Sequence, residues 1–318
     1  SLFMMASLEL YFIEQQQQQQ YQEKEDSSVS IHYLEWAKRV WEWIYTSDLI
    51  VKSPIPPKQR QRQLQRRNLN GDQKITNPNT NINITTSLVV CDGLDLQDKN
   101  GQCNCNNEEG WTYNQGVLVG AIGLLHRAVT EEDLSKKDAG MNNDNDNDGD
   151  SKRDDDLLSD AFNPKTLIHV ADSIVYNVIH DPPNDWLDEH RILVEKCPST
   201  GCDYDQQQFK GIFVRYLRLY VDSVGKSSLL YHQIHEFLDR QATAVWNLAM
   251  VNNDHYLIDF EWSNDNHRSK KQHHPPPNVT RRTSTPSMGT MNAITQTSGL
   301  DSLLAATNAP LDHHNNNR

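Results

Sequence analysis

Apolar residues recur at helical spacing in segment after segment of this chain, while strand-like alternation is nearly absent. His32–Tyr45 sets Tyr33, Trp36, Ala37, Val40, Trp41 and Ile44 on one face. Asn114–Val129 carries Leu118, Ile122 and Leu125 on one side, with Ala121 and Ala128 packing closely beside them. Asn163-Pro164 supplies a cap and a first-turn proline ahead of a stripe of Leu167, Val170, Ile174 and Val178. Gln208–Val224 repeats the pattern with Phe209, Ile212, Phe213, Tyr216, Leu217 and Tyr220. Ser228 caps a helix to about Ala249, with Leu230, Ile234, Phe237, Leu238, Ala242, Val245 and Trp246 inward. Leu2–Phe12 predicts a first helix and Ser287–Ala306 a last one, about seven in all. The one short β-like run, Ser87–Val90, leads into Cys91-Asp92-Gly93. The chain is therefore predicted to be all-α. No fixed repeat period links the helices, so a solenoid is excluded and helical hairpins around a central cleft are expected.

Polar tracts break this pattern at Gln15–Gln20, Gln59–Gln65, Asn142–Asp150, His273–Pro277 and Asn315–Asn317. They hold the apolar share of the 318 residues to 36 % and cannot build a core. They predict low-complexity insertions at about 14–28, 54–82, 138–155 and 264–286, with a disordered polar tail at 307–318. The net charge of −13 argues against a nucleic-acid partner, and the basic run Lys58–Arg67 lies inside a glutamine-rich insertion. No apolar run approaches the ~18 residues of a membrane span. Ser1–Ile13 contains Glu9 and lacks a cleavage site, so it reads as a helix and not as a leader, and the beginning of the protein is expected to lie upstream.

The five cysteines lack the spacings of a zinc site, and neither metal nor cofactor is expected. Cys197 and Cys202 close a short turn, CPSTGC, suited to a local disulfide, with free thiols as the alternative. Asn83-Ile-Thr85 and Asn278-Val-Thr280 are candidate glycosylation sequons, consistent with secretion.

Three junctions carry residues that core packing does not require. They are Cys91-Asp92-Gly93-Leu94-Asp95, Trp111-Thr112-Tyr113-Asn114-Gln115-Gly116, and the run from Asp203 through Phe209-Lys210-Gly211. A pyranose ring lays its apolar C–H faces on Trp or Tyr, while its hydroxyls need directed donors and acceptors. Trp111 and Tyr113 suit the first need; Asp92, Asn114, Gln115, Asp205, Gln208 and Lys210 suit the second, and Phe209 is a further candidate binding residue. Gly116 and Gly211 would let backbone approach a ligand closely. The plainer readings are a turn at Asp92-Gly93, helix caps at Asn114 or Asp205, and Trp111 and Tyr113 as lids over the core.

The string WTYNQGVLVGAIGLLHRA resembles the signature of glycoside hydrolase family seventy-six, the α-1,6-mannanases of bacteria and fungi. Asp205–Phe213, DQQQFKGIF, is similar to the family's Asp-Gln-Pro-Gln-Phe-Lys-Gly-Ile-Phe, with Gln207 in place of the proline. Tyr33–Ile50, Asp92-Gly93-Leu94, the Cys197–Cys202 loop and Thr297–Ala306 resemble further family segments. The resemblance implies an (α/α)6 toroid of twelve helices, of which residues 1–306 would supply about seven. It also implies a retaining glycosidase acting on α-1,6-linked mannan, secreted or directed to the cell wall and monomeric when complete. Two neighbouring aspartates would serve as nucleophile and acid/base, their carboxyls ~5–5.5 Å apart. No string here matches that pair: Asp154-Asp155-Asp156 lies in an acidic insertion, so the catalytic residues stay unassigned and are expected upstream. By itself the chain is then expected to lack turnover and to fold poorly, with inner apolar faces open to water. Two alternatives remain: a cell-wall transglycosylase of the same family, and a non-catalytic mannan-binding or helical interaction protein.

Overall fold

The computed structural model describes residues 2–21, 28–52, 87–96, 103–106, 110–138, 160–180, 186–195, 197, 202–251, 258, 262 and 293–307. The helices among them are α1 (Leu2–Tyr21), α2 (Ser28–Thr46), α3 (Thr112–Asp138), α4 (Pro164–His180), α5 (Phe209–Val224), α6 (Tyr231–Val251) and α7 (Ala293–Thr307). The strands are β1 (Ile50–Lys52), β2 (Leu88–Val90), β3 (Leu94–Leu96) and β4 (Cys103–Cys105). They form two antiparallel pairs, β1 with β2 from Ile50↔Val90 to Lys52↔Leu88, and β3 with β4 from Leu94↔Cys105 to Leu96↔Cys103. The fold is all-α, as the periodicity predicts, with these ribbons appended to the helices.

The helix α3 is the centre. Every residue from Asn114 to Leu125 is buried, as a helix apolar on all sides requires. It packs against α5, α4 and α1; α7 bridges α5 and α6, and α2 lies on α1. The close seam between α3 and α5 follows from Gly116, Gly120 and Gly123, which share one face at helical spacing. A Cβ on Gly116 would stand 2.6 Å from Phe213 Cα, and one on Gly123 3.0 Å from Tyr220 Cα. Gly211 plays the same part toward α7, where a Cβ would meet Ser298 Cα at 2.5 Å. Gly116 and Gly211 therefore admit a neighbouring helix, which corrects the expectation that they make room for a ligand.

Several polar groups inside this core are matched across elements. Asp172 on α4 accepts hydrogen bonds from Tyr220 Oη (2.8 Å), Ser228 Oγ (2.6 Å) and the Leu229 amide (2.9 Å), joining α4, α5 and the start of α6. Trp41 Nε1 donates to the Ala161 carbonyl at 2.8 Å, tying α2 to the entry of α4. Three glutamines treat extended chain as a strand would. Gln115 bonds both the N–H and the C=O of Val90, Gln296 both those of Ile258, and Gln241 the Leu193 N–H and Arg191 C=O. Each primary amide offers one donor and one acceptor side by side, the complement of an exposed strand edge.

Some boundaries and faces differ from the sequence reading. The first helix continues through Gln15–Gln20 to Tyr21, where an insertion was expected from about residue 14; glutamine is a good helix former, so a polar tract need not end a helix. Trp36 and Trp246, expected inward, are each 52 % exposed. On α2 the buried stripe is Leu34, Ala37, Trp41 and Ile44, and Trp36 lies beside it, edge-on to Phe3 with Arg39 over its ring. The insertions at 54–82 and 264–286, nearly all of 138–155, and the tail beyond residue 307 lie outside the described residues. No helix among the described residues is long and apolar enough to cross a membrane.

Candidate functional site

The N-termini of α3 and α5 lie side by side and carry most of the expected sugar-binding residues. Tyr113 and Phe209 stack with ring centroids 4.3 Å apart and planes tilted 38°, and Trp111 meets Phe209 edge-on at 5.4 Å. All three are half-buried. Tyr113 Oη donates to Asp92 Oδ1 at 3.2 Å, bringing the first junction onto the same lip. Burial, and next to it the Asp92 carboxylate, raise the Tyr113 phenol, so it remains a donor at neutral pH. Asp92 itself is held by a disulfide between Cys91 and Cys105, which ties the end of β2 to β4.

Two expected hydroxyl ligands serve the backbone instead. Asn114 Oδ1 accepts the Trp111 N–H at 3.0 Å, the reach of a third helical residue back to its cap. Gln115 is fully buried, its oxygen on the Val90 N–H and its nitrogen on the Val90 and Trp111 carbonyls. Asp205 is exposed on the turn ahead of α5 and Gln208 is half-buried at the end of the 3-10 turn Gln206–Gln208. The capping there belongs to Asp203, which accepts the Gln206 N–H at 2.9 Å while Gln206 Oε1 accepts the Asp203 N–H at 3.0 Å. Cys197 and Cys202 are joined in a disulfide at the head of this turn. The sequons at Asn83 and Asn278 lie outside the described residues.

Lys210 is buried beneath the lip, its Nζ 4.8 Å from the centroid of the Trp262 ring. Near it lies a carboxylate that sequence reasoning missed. Glu195 ends a tight hairpin, in which Leu187 bridges Leu193 and Arg191 takes a left-handed turn conformation (φ 64°). Thr112 donates both its hydroxyl and its backbone N–H to Glu195. An anion thus meets the first orphan N–H of α3, where the helix dipole favours it. Glu195 Oε2 is buried with no hydrogen-bond partner among the described residues. Burial pushes this carboxyl up to about 7, against the opposing pull of the Thr112 bonds and the Lys210 ammonium. The sequence signal was available: Ile192-Leu193-Val194-Glu195 sets one acid at the end of an apolar run. No signal local to Trp262 marks it, because its partner is 52 residues away in sequence (262 against 210).

A small cavity lies elsewhere, between His180, Arg191, Gln233, Glu236, Phe237 and Arg240, and none of the expected sugar-binding residues lines it. Among the described residues no cluster of His, Cys, Asp and Glu could hold a metal ion.

The molecule is thus an all-α protein whose two central helices begin at a shared aromatic and carboxylate lip. Mannan endo-1,6-alpha-mannosidase DCW1 of Eremothecium gossypii is 28 % identical to it over 100 residues. The matched stretch is 31 % of this chain and spans 15 % of the length of that mannosidase, so the likeness is distant and partial. No family model and no solved structure matches the chain.

Proposed function

We propose that this protein is a glycoside hydrolase of the α-1,6-mannanase kind, and that the lip at the starts of α3 and α5 receives mannose units. The observation that carries the reading is the lip itself: Trp111, Tyr113 and Phe209 cluster half-exposed beside Asp92, apolar ring faces next to a carboxylate. A core would bury three such rings; a sugar subsite leaves them at the surface. The partial likeness to a mannosidase supports mannan over other polysaccharides, and a secreted or cell-wall setting follows from such a substrate. In this reading Trp111 offers the stacking platform, Asp92 and Tyr113 Oη address hydroxyls, and Lys210 with Glu195 supports the lip from beneath. Asn114 and Gln115, whose side chains are engaged with backbone, shape the lip and leave hydroxyl recognition to their neighbours.

The full chain titrated with α-1,6-linked mannotriose is expected to bind, and β-1,4-linked mannotriose to bind more weakly. Trp111→Ala is expected to weaken the α-1,6 ligand by about tenfold or more, the scale of a lost aromatic anchor. Equal affinity for both linkages, or a Trp111→Ala chain that binds as the parent does, would overturn the reading. Assay on α-1,6-mannan with an acceptor glycan present separates hydrolysis, transfer and binding without turnover by their products.

A further inference from the structure

Glu195 stands where three separately coded segments meet: the hairpin that ends at residue 195, the first turn of α3, and the first turn of α5. Its contact to α3 is a double one, through the hydroxyl and the N–H of Thr112. Its contact to α5 is through charge, from the buried ammonium of Lys210, which sits one residue after Phe209. Thr112 lies between Trp111 and Tyr113. Each helix start that Glu195 holds therefore has a lip ring attached to the residue beside the contact. Glu195 takes no part in the aromatic stacking itself.

We propose that Glu195 is the positioning residue of the lip: its carboxylate, bonded to Thr112 and opposed to Lys210, sets Trp111 and Tyr113 against Phe209. This assignment rests on the lip being the sugar-binding face, but its geometry can be tested with no sugar present. Ionised, the carboxylate accepts both Thr112 donors and opposes the Lys210 charge. Protonated, it loses the charge attraction to Lys210 and to the α3 dipole, so the two helix starts are less firmly aligned, although the fold as a whole sheds the cost of a buried charge. The groups that act on its charge are Thr112 from α3 and Lys210 from α5.

The experiment follows the emission of Trp111 in the full chain, isolated as the difference from Trp111→Phe, across roughly pH 5–9. The expected result is one transition with a midpoint near the value of about 7 set by the site, absent in Glu195→Gln and recovered at a shifted midpoint in Glu195→Asp. A parent chain without the transition, or a Glu195→Gln chain that titrates like the parent, would overturn the assignment. If Glu195→Gln does not fold, Thr112→Val decides. Losing the hydroxyl that favours the ionised form should move the midpoint upward, and an unchanged midpoint counts against the assignment. A purely structural buried acid would not link its proton to the Trp111 signal.

The affinity for α-1,6-linked mannotriose should then follow the same transition, falling on acidification by about tenfold, within the usual range of coupling between linked sites. A Trp111 transition carried by Glu195, with no mannotriose bound at any pH, would leave the positioning role standing and remove the sugar reading. Binding that ignores pH while Glu195→Gln matches the parent would do the reverse.

Discussion

The two central helices meet twice, and the two meetings are built on opposite principles. Along their length α3 and α5 touch backbone to backbone, with Gly116, Gly120 and Gly123 clearing the way for Phe213, Tyr216 and Tyr220. At their N-termini the same helices meet through large rings and buried charge: Tyr113 on Phe209, Trp111 beside them, Glu195 and Lys210 underneath. The seam excludes anything else, whereas the lip leaves three rings half-open and keeps a carboxyl that burial disfavours. A protein selected for packing alone would extend the seam to the end of the helices. In the proposed reading the lip gives up packing for chemistry, as functional surfaces commonly do.

Substitutions should separate the two regions, beginning where packing is tightest. Gly116→Val adds side chain where Phe213 Cα would lie 2.6 Å from the first new atom. It is expected to cost about 3 kcal/mol or more and to remove cooperative unfolding by urea. Replacing Cys91 and Cys105 by Ala opens a crosslink of sequence separation 14, with an expected loss of about 3 kcal/mol. That change should also weaken mannotriose binding, because Asp92 adjoins Cys91. Gln115→Ala leaves the Val90 N–H and C=O without side-chain partners and should cost about 1–3 kcal/mol, read by thermal melting.

The lip should respond in the opposite sense. Tyr113→Phe keeps the ring on Phe209 and loses the hydroxyl's bond to Asp92, for about 0.5–1.5 kcal/mol. A mannotriose affinity that drops while the melting curve barely moves would place Tyr113 with the ligand; the reverse would assign it to packing. The most gradual effect is that of pH. Since Glu195 is raised to about 7 in the fold, it retains a proton that the unfolded chain releases near its ordinary value of 4.5. Stability from this group is therefore greatest at low pH and declines as pH rises between those values, the sign being set by the folded state binding more protons. Glu195→Gln should flatten that window, and a melting temperature that rises through it in the parent would contradict the burial assigned to Glu195.

Much of the helical frame could be read directly from residue order. The stripes of Leu167, Val170, Ile174 and Val178, and of Leu230, Ile234, Phe237 and Leu238, are local patterns, and a helix needs only local hydrogen bonds to express them. The lip was half legible: Trp111, Tyr113, Phe209 and Asp92 stood out by composition and do come together. Asn114 and Gln115 stood out equally, yet one reaches back to its cap and the other clamps β2. The side chain is the same in either role, and only the neighbour it finds decides between them.

Sequence alone determined that this chain is helical, where six of the seven described helices begin to within four residues, and that its aromatic and polar residues gather at three junctions. The pattern of side chains along a helix is a property of i, i+3 and i+4, which the order of residues contains. Tertiary structure alone decided that the glycines serve a helix seam, that Cys91 pairs with Cys105, and that Glu195 closes on Thr112 across 83 positions. Those outcomes depend on which distant surfaces meet, and no spacing within one helix encodes its partner.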